Sequence, residues 1–582
     1  MGAQLAAHLA NAGVPVLLLD VTAEAAAAGL ARARTLSPDP FFLPEYASRI
    51  RTGSFDEGLA EAGACDWIVE AIVEQLDAKR ALFERLAPHL KSGAIVTTNT
   101  SALPISDLRI QQFSAHQLTS FCGTHFFNPP RYLPLVELIP TEATDPAVVD
   151  RLRAFLDVRL GKGVVIARDV PGFIANRIAT YGMARALALV ADGSYTVDEV
   201  DALTGPLIGR PKSATFRTAD IVGLDVLAKV AGDLHAALGD DAFALPAFVE
   251  AMVREGAVGE KAGRGFYRKV KVDGATAIHT RNIATGEYRP RAQVTFPSVE
   301  AARAIDDIGE RLKRLAQADD RAGAFLRATL GATIAYAARV ADDIAYDPAD
   351  IDRAMRLGFG WALGPFESAK FFPVQFSRLN VQIPPRQPGK LNRDEFRGNA
   401  AASLRDLGDG VLGVALHSKL NTLGGDTLEM LETGVASAAA DGYTGIVVGT
   451  DAQHFSAGAN LMLLLLAAQD GDWDEIDLMV RAFQRATMAL RLAPVPVVVA
   501  TNGMTLGGGC EIALHADRVQ AAAESYIGLV ETGVGLIPAG GGTKEMLARA
   551  METLARVSGP AADVLPAVSR AFETMEIGRA HV

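Results

Sequence analysis

Two small sets of residues carry chemistry in this sequence. In the first, His125 ends a strand-like run, Gly123-Thr-His-Phe-Phe-Asn-Pro-Pro130, and Glu137 lies twelve residues on inside the apolar Leu135-Val-Glu-Leu-Ile139. A carboxylate in an apolar strand is costly to bury without a partner. An imidazole meets that need, and the pairing orients the ring for proton transfer. A lone histidine is more often a satisfied structural residue, so the pair carries the reading. Ser101 follows Asn99-Thr100 at the end of a strand, where helix capping is the plainer role. Asn176 lies in Asp169-Val-Pro-Gly-Phe-Ile-Ala-Asn-Arg177.

The second set lies in the last third. His454-Phe-Ser-Ala-Gly-Ala-Asn-Leu461 and Asn502-Gly-Met-Thr-Leu-Gly-Gly-Gly-Cys-Glu-Ile512 each follow an apolar strand. Small residues let backbone N–H groups approach a ligand, and a glycine run opening a helix aims its amides at one point. Such loops suit an oxyanion hole, although either one alone reads equally as a tight turn. Glu511 closes the second loop, and Glu531 follows twenty residues later in Gly528-Leu-Val-Glu-Thr-Gly-Val-Gly-Leu-Ile-Pro538.

The elements that position these groups follow from the pattern. At 582 residues the chain exceeds one ordinary core, with about four units expected at ~150 residues each. Its 49% apolar residues support sizeable cores. The net charge of −12 argues against nucleic-acid binding, which needs clustered Lys and Arg. No apolar run approaches the ~20 residues of a membrane span. Three scattered cysteines fit a reducing, cytoplasmic setting, and no metal site is expected. Residues 1–167 alternate strands and helices, which predicts parallel pairing in an α/β domain. Residues 168–268 read as helical, 269–318 as a polar linker, 319–372 as a second helical domain, 373–408 as a second linker and 409–576 as another α/β domain. The two helical parts repeat: Val197-Asp-Glu-Val-Asp201 with Gly205-Pro-Leu-Ile-Gly209-Arg-Pro211 is echoed by Pro348-Ala-Asp-Ile-Asp352 with Gly358 to Pro365.

The motifs NTS, HFFNP, LVE and DxPGFxxNR, in this order and spacing, resemble the 3-hydroxyacyl-CoA dehydrogenase family. Lys261-Ala-Gly-Arg-Gly-Phe-Tyr267 and the helical repeat resemble the tandem C-terminal domains of its multifunctional fatty-acid oxidation members. The motifs FSAGAN, GGGCE and IPAGGGT, with Glu511 and Glu531, resemble the crotonase (enoyl-CoA hydratase/isomerase) family. The fold implied is multidomain α/β: a Rossmann-type NAD domain, two all-α dehydrogenase C-terminal domains, then a crotonase-type α/β domain.

The resemblance implies roles. His125 takes the 3-hydroxyl proton, Glu137 holds its imidazole, and Ser101 and Asn176 position the substrate oxygen. Gly2, Asp20, Glu74, Lys79, Ser101 and Asn128 lie at the cofactor, and a carboxylate at Asp20 favours NAD over NADP. Ala459 and Gly508 supply the oxyanion amides, while Glu511 and Glu531 handle the water and the α-proton. Asn460 stands where many relatives have Asp. The activities implied are oxidation of (S)-3-hydroxyacyl-CoA and hydration of trans-2-enoyl-CoA. The alternatives are a Δ3–Δ2 enoyl-CoA isomerase as the second domain, or a non-catalytic CoA-ester-binding fragment. Acyl-CoA thioesters are the expected ligands, a thiolase the expected partner, and the full-length parent a homo-oligomer. Both ends read as cut. The first Rossmann strand and the first glycines of its turn are missing at the start. Most C-terminal crotonase helices are absent, and Ile577–Val582 resembles a translated adapter.

Overall fold

The computed structural model describes residues 1–272, 275–372, 395–558, 563–577 and 580–581. The chain divides into two compact units, Met1–Pro384 and Pro385–Val582.

The first unit begins with a helix, Gly2–Asn11, and two parallel strands, β1 (Val16–Asp20) and β2 (Ile50–Ser54). A five-stranded sheet follows in sequential order: β3 (Trp67–Glu70), β4 (Ile95–Thr98), β5 (Phe121–Phe126), β6 (Leu135–Pro140) and β7 (Gly163–Ile166). β1–β2 and β3–β7 are separate sheets, so β1 does not pair with β3. Strands β4 and β6 are fully apolar or buried along nearly their whole length, as expected when helices cover both faces.

The expectation of parallel pairing fails at one place. β5 and β6 are antiparallel, with His125 directly opposite Glu137. A parallel crossover needs a dozen or more residues, and only 127–134 connect these strands, without a helix. The strand direction therefore reverses.

The two helical parts are not independent domains. Tyr181, in the helix Ala175–Ala191, stacks on Tyr336, in the helix Ala332–Ile344, at 4.0 Å between ring centroids. Phe173, Ile178, Tyr336 and Met355 share one core with Phe83 and Val96 beneath the sheet.

The repeat has a physical basis. Asp201 accepts from the backbone N–H of Thr215, Phe216 and Arg217, fourteen to sixteen residues on. Asp352 accepts from Phe366 and Glu367, fourteen and fifteen residues on. Each aspartate thus caps the start of the following helix, and each is followed eight residues later by a glycine in the left-handed region, Gly209 and Gly360. The two loops meet where Ala362 N–H donates to the Gly209 carbonyl at 2.7 Å.

Residues 269–318 do not form a linker. β8 (Tyr267–Val272), β9 (Ala275–Arg281) and β10 (Tyr288–Pro290) make an antiparallel sheet, followed by helices Pro297–Ala302 and Ile308–Ala316. Phe296, Val299, Leu312 and Leu315 are buried in one core with Val200, Leu203 and Phe325. Buried Asp198 ties the sheet down, accepting from Thr280 Oγ1 at 2.7 Å and Ala292 N–H at 3.1 Å. Polar composition hid this segment because β8 carries exposed Arg268, Lys269 and Lys271 and buries only Tyr267.

Of the second expected linker, 373–394 lie outside the described residues. Residues 395–408 belong to the second unit, contrary to a boundary at 409. There β11 (Glu395–Gly398), β12 (Ala402–Asp406) and β13 (Val411–Leu416) pair antiparallel, and β13 continues in parallel through β14 (Gly445–Gly449), β15 (Val497–Thr501) and, after β16 (Met504–Leu506), β17 (Arg518–Ala521). β16 pairs instead with β18 (Tyr526–Gly528), which sets the Gly507–Gly509 loop against residues 528–531.

Replacing Asp352 with alanine orphans two buried donors. The expected cost is about 1–3 kcal/mol, and Asp201→Ala costs more, because Tyr267 Oη donates to Asp201 as well. Urea titration of each variant measures both.

Candidate active sites

The first site is built at the carboxyl ends of β3, β4 and β5. His125 Nδ1 lies 2.7 Å from Glu137 Oε2, with 5% and 0% of the residues exposed. The other carboxylate oxygen, Oε1, accepts the N–H groups of Ile174 at 3.1 Å and Ala175 at 2.8 Å, at the start of the helix Ala175–Ala191. A carboxylate is favoured at a helix N-terminus. Gly172 and Phe173, at φ +72° and +49°, turn the chain so that these amides face Glu137. Phe173 is a non-glycine residue in a sparsely populated region, held there by complete burial. With Nδ1 donating to the carboxylate, Nε2 carries a free lone pair. The ring is flanked by Phe127 at 4.5 Å and Phe173 at 5.8 Å between centroids.

Asn176 Nδ2 donates to the Ser101 carbonyl at 3.3 Å, so both half-buried residues stand together beside this pair of strands. Asn99 Oδ1 accepts from Phe126 N–H at 2.9 Å and locks the β4 loop to β5.

Glu74 and Lys79 occupy a buried network. Glu74 Oε1 accepts from Thr100 Oγ1, Ser101 N–H and Ala102 N–H at 2.5, 2.9 and 3.2 Å. Lys79 Nζ, only 1% exposed, lies 2.7 Å from Glu70 Oε1 and 3.2 Å from Glu74 Oε2. Glu70 completes its shell with Ile72 N–H and Thr98 Oγ1. The structure thus directs Lys79 at two carboxylates of its own chain. Glu70 escaped sequence reasoning; its signal is an acid ending the apolar strand Trp67–Glu70, nine residues before a lysine.

The arrangement fits a dinucleotide. Asp20 is exposed at the carboxyl end of β1, with Oδ1 bound to Val21 N–H. The helix Gly2–Asn11 has no acid in its first turn and no capping side chain, which leaves its first amides open to an anion. A Cβ built on Gly2 meets Ala71 and Leu18 only at ordinary packing distance, so the glycine is not demanded by these neighbours. Asn128 is exposed just past β5.

The second site lies in the second unit. Ala459 forms a parallel bridge with Leu423, in which Leu423 bonds to Gly458 and Asn460, so Ala459's own N–H points away from that pairing. Gly508 opens the helix Gly508–Leu514 after Gly507, whose φ of +52° and ψ of −120° suit glycine alone. A Cβ on Gly458 would stand 3.8 Å from Gly508 N, so the two loops are adjacent. Asn460 caps the helix Leu461–Asp470 by accepting from Met462 N–H, a task Asp performs equally.

Glu511, 3% exposed, accepts Gly542 N–H at 2.8 Å. Burial pushes its carboxyl up to about 7; the Gly542 bond opposes this and the nearby charge of Glu531 adds to it. Burial raises Glu531 as well. Glu531 Oε2 is buried with no protein partner among the described residues, which leaves it for a ligand. A Cβ on Gly507 would lie 3.0 Å from Glu531 Oε1, and one on Gly540 2.5 Å from Glu511 Oε2 and 2.3 Å from Phe483. The glycines therefore make the room in which the two acids face one space. Phe483, which walls that space, was not singled out from sequence. Burial pushes the Cys510 thiol up to about 12, which disfavours its thiolate form.

No group of metal-binding side chains occurs among the described residues, and no described helix is long and apolar enough to cross a membrane.

A dinucleotide-type sheet with a buried His–Glu pair, and a separate oxyanion-type site with two carboxylates, define an oxidoreductase joined to an acyl-CoA enzyme. Residues 1–170 match the NAD-binding domain of 3-hydroxyacyl-CoA dehydrogenase, and residues 172–269 and 323–378 match its C-terminal domain. Residues 406–556 match enoyl-CoA hydratase/isomerase. A probable 3-hydroxyacyl-CoA dehydrogenase of Bacillus subtilis (strain 168) is 38% identical, covering 100% of this chain and 80% of its own length. A probable 3-hydroxyacyl-CoA dehydrogenase of Deinococcus radiodurans is 44% identical over 51% of this chain and 88% of its own. A putative fatty acid oxidation complex trifunctional enzyme of Rickettsia felis is 28% identical, covering 94% and 79%. The chain belongs to the 3-hydroxyacyl-CoA dehydrogenase family. It is a bifunctional β-oxidation enzyme, with an NAD-dependent dehydrogenase and an enoyl-CoA hydratase domain.

Two outcomes follow from this geometry. Glu70→Leu leaves Lys79 with one partner and costs about 3–5 kcal/mol, most of it recovered when Lys79→Met is added; a double-mutant cycle in denaturant measures this. The hydration rate falls as pH rises through about 7, because the Glu511–Glu531 pair then loses its shared proton. A kcat/KM profile from pH 5 to 9 checks the limb, which moves or disappears in Glu511→Gln.

Proposed function

We propose that the two sites catalyse consecutive steps on one acyl chain, hydration of trans-2-enoyl-CoA and then oxidation of the (S)-3-hydroxyacyl-CoA formed. The observation that carries this is the complementarity of the sites: one holds two carboxylates in a shared space, the other a single oriented imidazole.

In hydration, the amides of Ala459 and Gly508 hold the thioester oxygen as enolate charge develops. One carboxyl of the Glu511–Glu531 pair takes a proton from water as its oxygen bonds to C3, and the other delivers a proton to C2. Two carboxyls on one space favour hydration over Δ3–Δ2 isomerisation, in which a single acid suffices to move one proton.

In oxidation, His125 Nε2 takes the hydroxyl proton, and the ring's positive charge is held by Glu137. Ser101 and Asn176 hydrogen-bond the substrate oxygen and fix C3. NAD, when bound, accepts the hydride from C3. Asp20 would hold the ribose hydroxyls, the amides after Gly2 would hold the pyrophosphate, and Asn128 with the loop anchored by Glu74 and Lys79 would border the nicotinamide. Glu74 and Lys79 act by holding Ser101 rather than by direct contact, since their polar atoms are occupied within the chain. A cytoplasmic setting, a homo-oligomer and a thiolase that consumes the 3-oxoacyl-CoA complete this reading.

His125→Gln lowers NADH formation from (S)-3-hydroxybutyryl-CoA by about 10²–10⁴-fold and spares hydration of crotonyl-CoA, with Glu531→Gln giving the reverse. Loss of both activities from either change sinks the assignment of two independent sites.

A further inference from the structure

A cavity of about 340 Å³ opens in the first unit, lined by none of the residues placed in the dehydrogenase site. That volume lies at the lower end of small-molecule sites, ~300–1,000 Å³. Its basic lining is Lys212, Arg217, Arg268, Lys269 and Arg291, against two carboxylates, Asp201 and Glu260. The chain as a whole carries a net charge of −12, so this local surplus runs against the average.

Both carboxylates are already engaged. Asp201 accepts three backbone N–H groups and Tyr267 Oη. Glu260 pairs with Arg217 at 2.9 Å and Lys269 at 3.4 Å. Lys212 and Arg268 face no carboxylate within ion-pair distance among the described residues. Arg291 reaches Asp198 only at 4.0 Å and lies 5.7 Å from the Tyr267 ring centre. The wall also has an apolar part, the Tyr267 ring and Ile278. Such a site asks for a ligand with at least two closely spaced negative charges and a flat or apolar body.

We propose that this cavity binds a nucleotide bearing two phosphate groups, apart from the NAD site. Lys212 and Arg268 supply the unsatisfied charge, Arg291 and Arg217 present planar forks that match phosphate oxygens, and Tyr267 with Ile278 receives the base. Ile278 and Arg291 come from the folded segment after residue 269, which the dehydrogenase family match leaves uncovered up to 323. The cavity is thus built partly from residues outside the matched C-terminal domain and shares no lining residue with the dehydrogenase site. Its ligand is either a free nucleotide or the bisphosphorylated adenosine end of a CoA thioester, since both present this chemistry.

The test is calorimetric titration of the full chain with adenosine 3′,5′-bisphosphate at ~150 mM salt, with NAD saturating so that its own site is filled. Wild type takes up one equivalent. Lys212→Glu combined with Arg268→Glu weakens binding at least tenfold, with unchanged melting temperature and unchanged KM for NAD. Equal affinity in both proteins, or no uptake by wild type, overturns the proposal. If saturating acyl-CoA abolishes the uptake, and the double variant raises KM for acyl-CoA but not for the matching acyl-pantetheine thioester, the ligand is the thioester's own nucleotide. If uptake persists beside acyl-CoA, the ligand is a free nucleotide.

Discussion

The dehydrogenase site depends on one carboxylate that serves two masters. Glu137 gives one oxygen to His125 across an antiparallel strand pair and the other to two amides at the start of the helix Ala175–Ala191. A fully buried charge is tolerated only when its partners satisfy it, and here they come from a neighbouring strand and from a helix dipole. The consequence is structural as well as chemical. The imidazole cannot rotate without orphaning a buried acid, and the helical part cannot shift without removing the amides. Catalytic orientation and the seating of the helices on the sheet are thus one interaction.

The same economy recurs through the first unit. Asp201, Asp220 and Asp352 are buried acids that hold chain segments by collecting backbone N–H groups, and burial pushes them up to about 6, 6 and 7. Glu70 and Glu74 do the same around Lys79, and through Thr100 and the amides of residues 101 and 102 they set the loop that carries Ser101. The second unit differs in part. There Glu531 Oε2 has no protein partner among the described residues, while Glu511 accepts backbone N–H groups and its carboxyl is pushed up to about 7 by burial.

Much of this was legible without coordinates. The apolar strand carrying Glu137, the glycine runs before Glu511 and the repeated aspartates at 201 and 352 are local patterns, and local patterns survive in sequence. What composition obscured was the segment 269–318, whose many exposed Arg and Lys mask the few residues, Phe296, Val299, Leu312 and Leu315, that pack inward. Polar average composition says nothing about which face a side chain takes. Nor could spacing show that the helical repeats share a core, because Tyr181 and Tyr336 meet only once the chain has doubled back.

Residue type and order determined which groups could react: a histidine, three acids, a hydroxyl, an amide and two glycine loops, all tied to their elements by short-range pattern. Tertiary structure decided which atoms of these groups remain free. The antiparallel turn at 127–134 spends Nδ1 of His125 and leaves Nε2, the Glu70–Glu74 cage takes Lys79 out of circulation, and glycines 507, 540 and 542 leave the room in which two carboxylates face one space. Hydrogen-bond satisfaction and desolvation depend on neighbours distant in sequence, and so they are settled only when the fold closes.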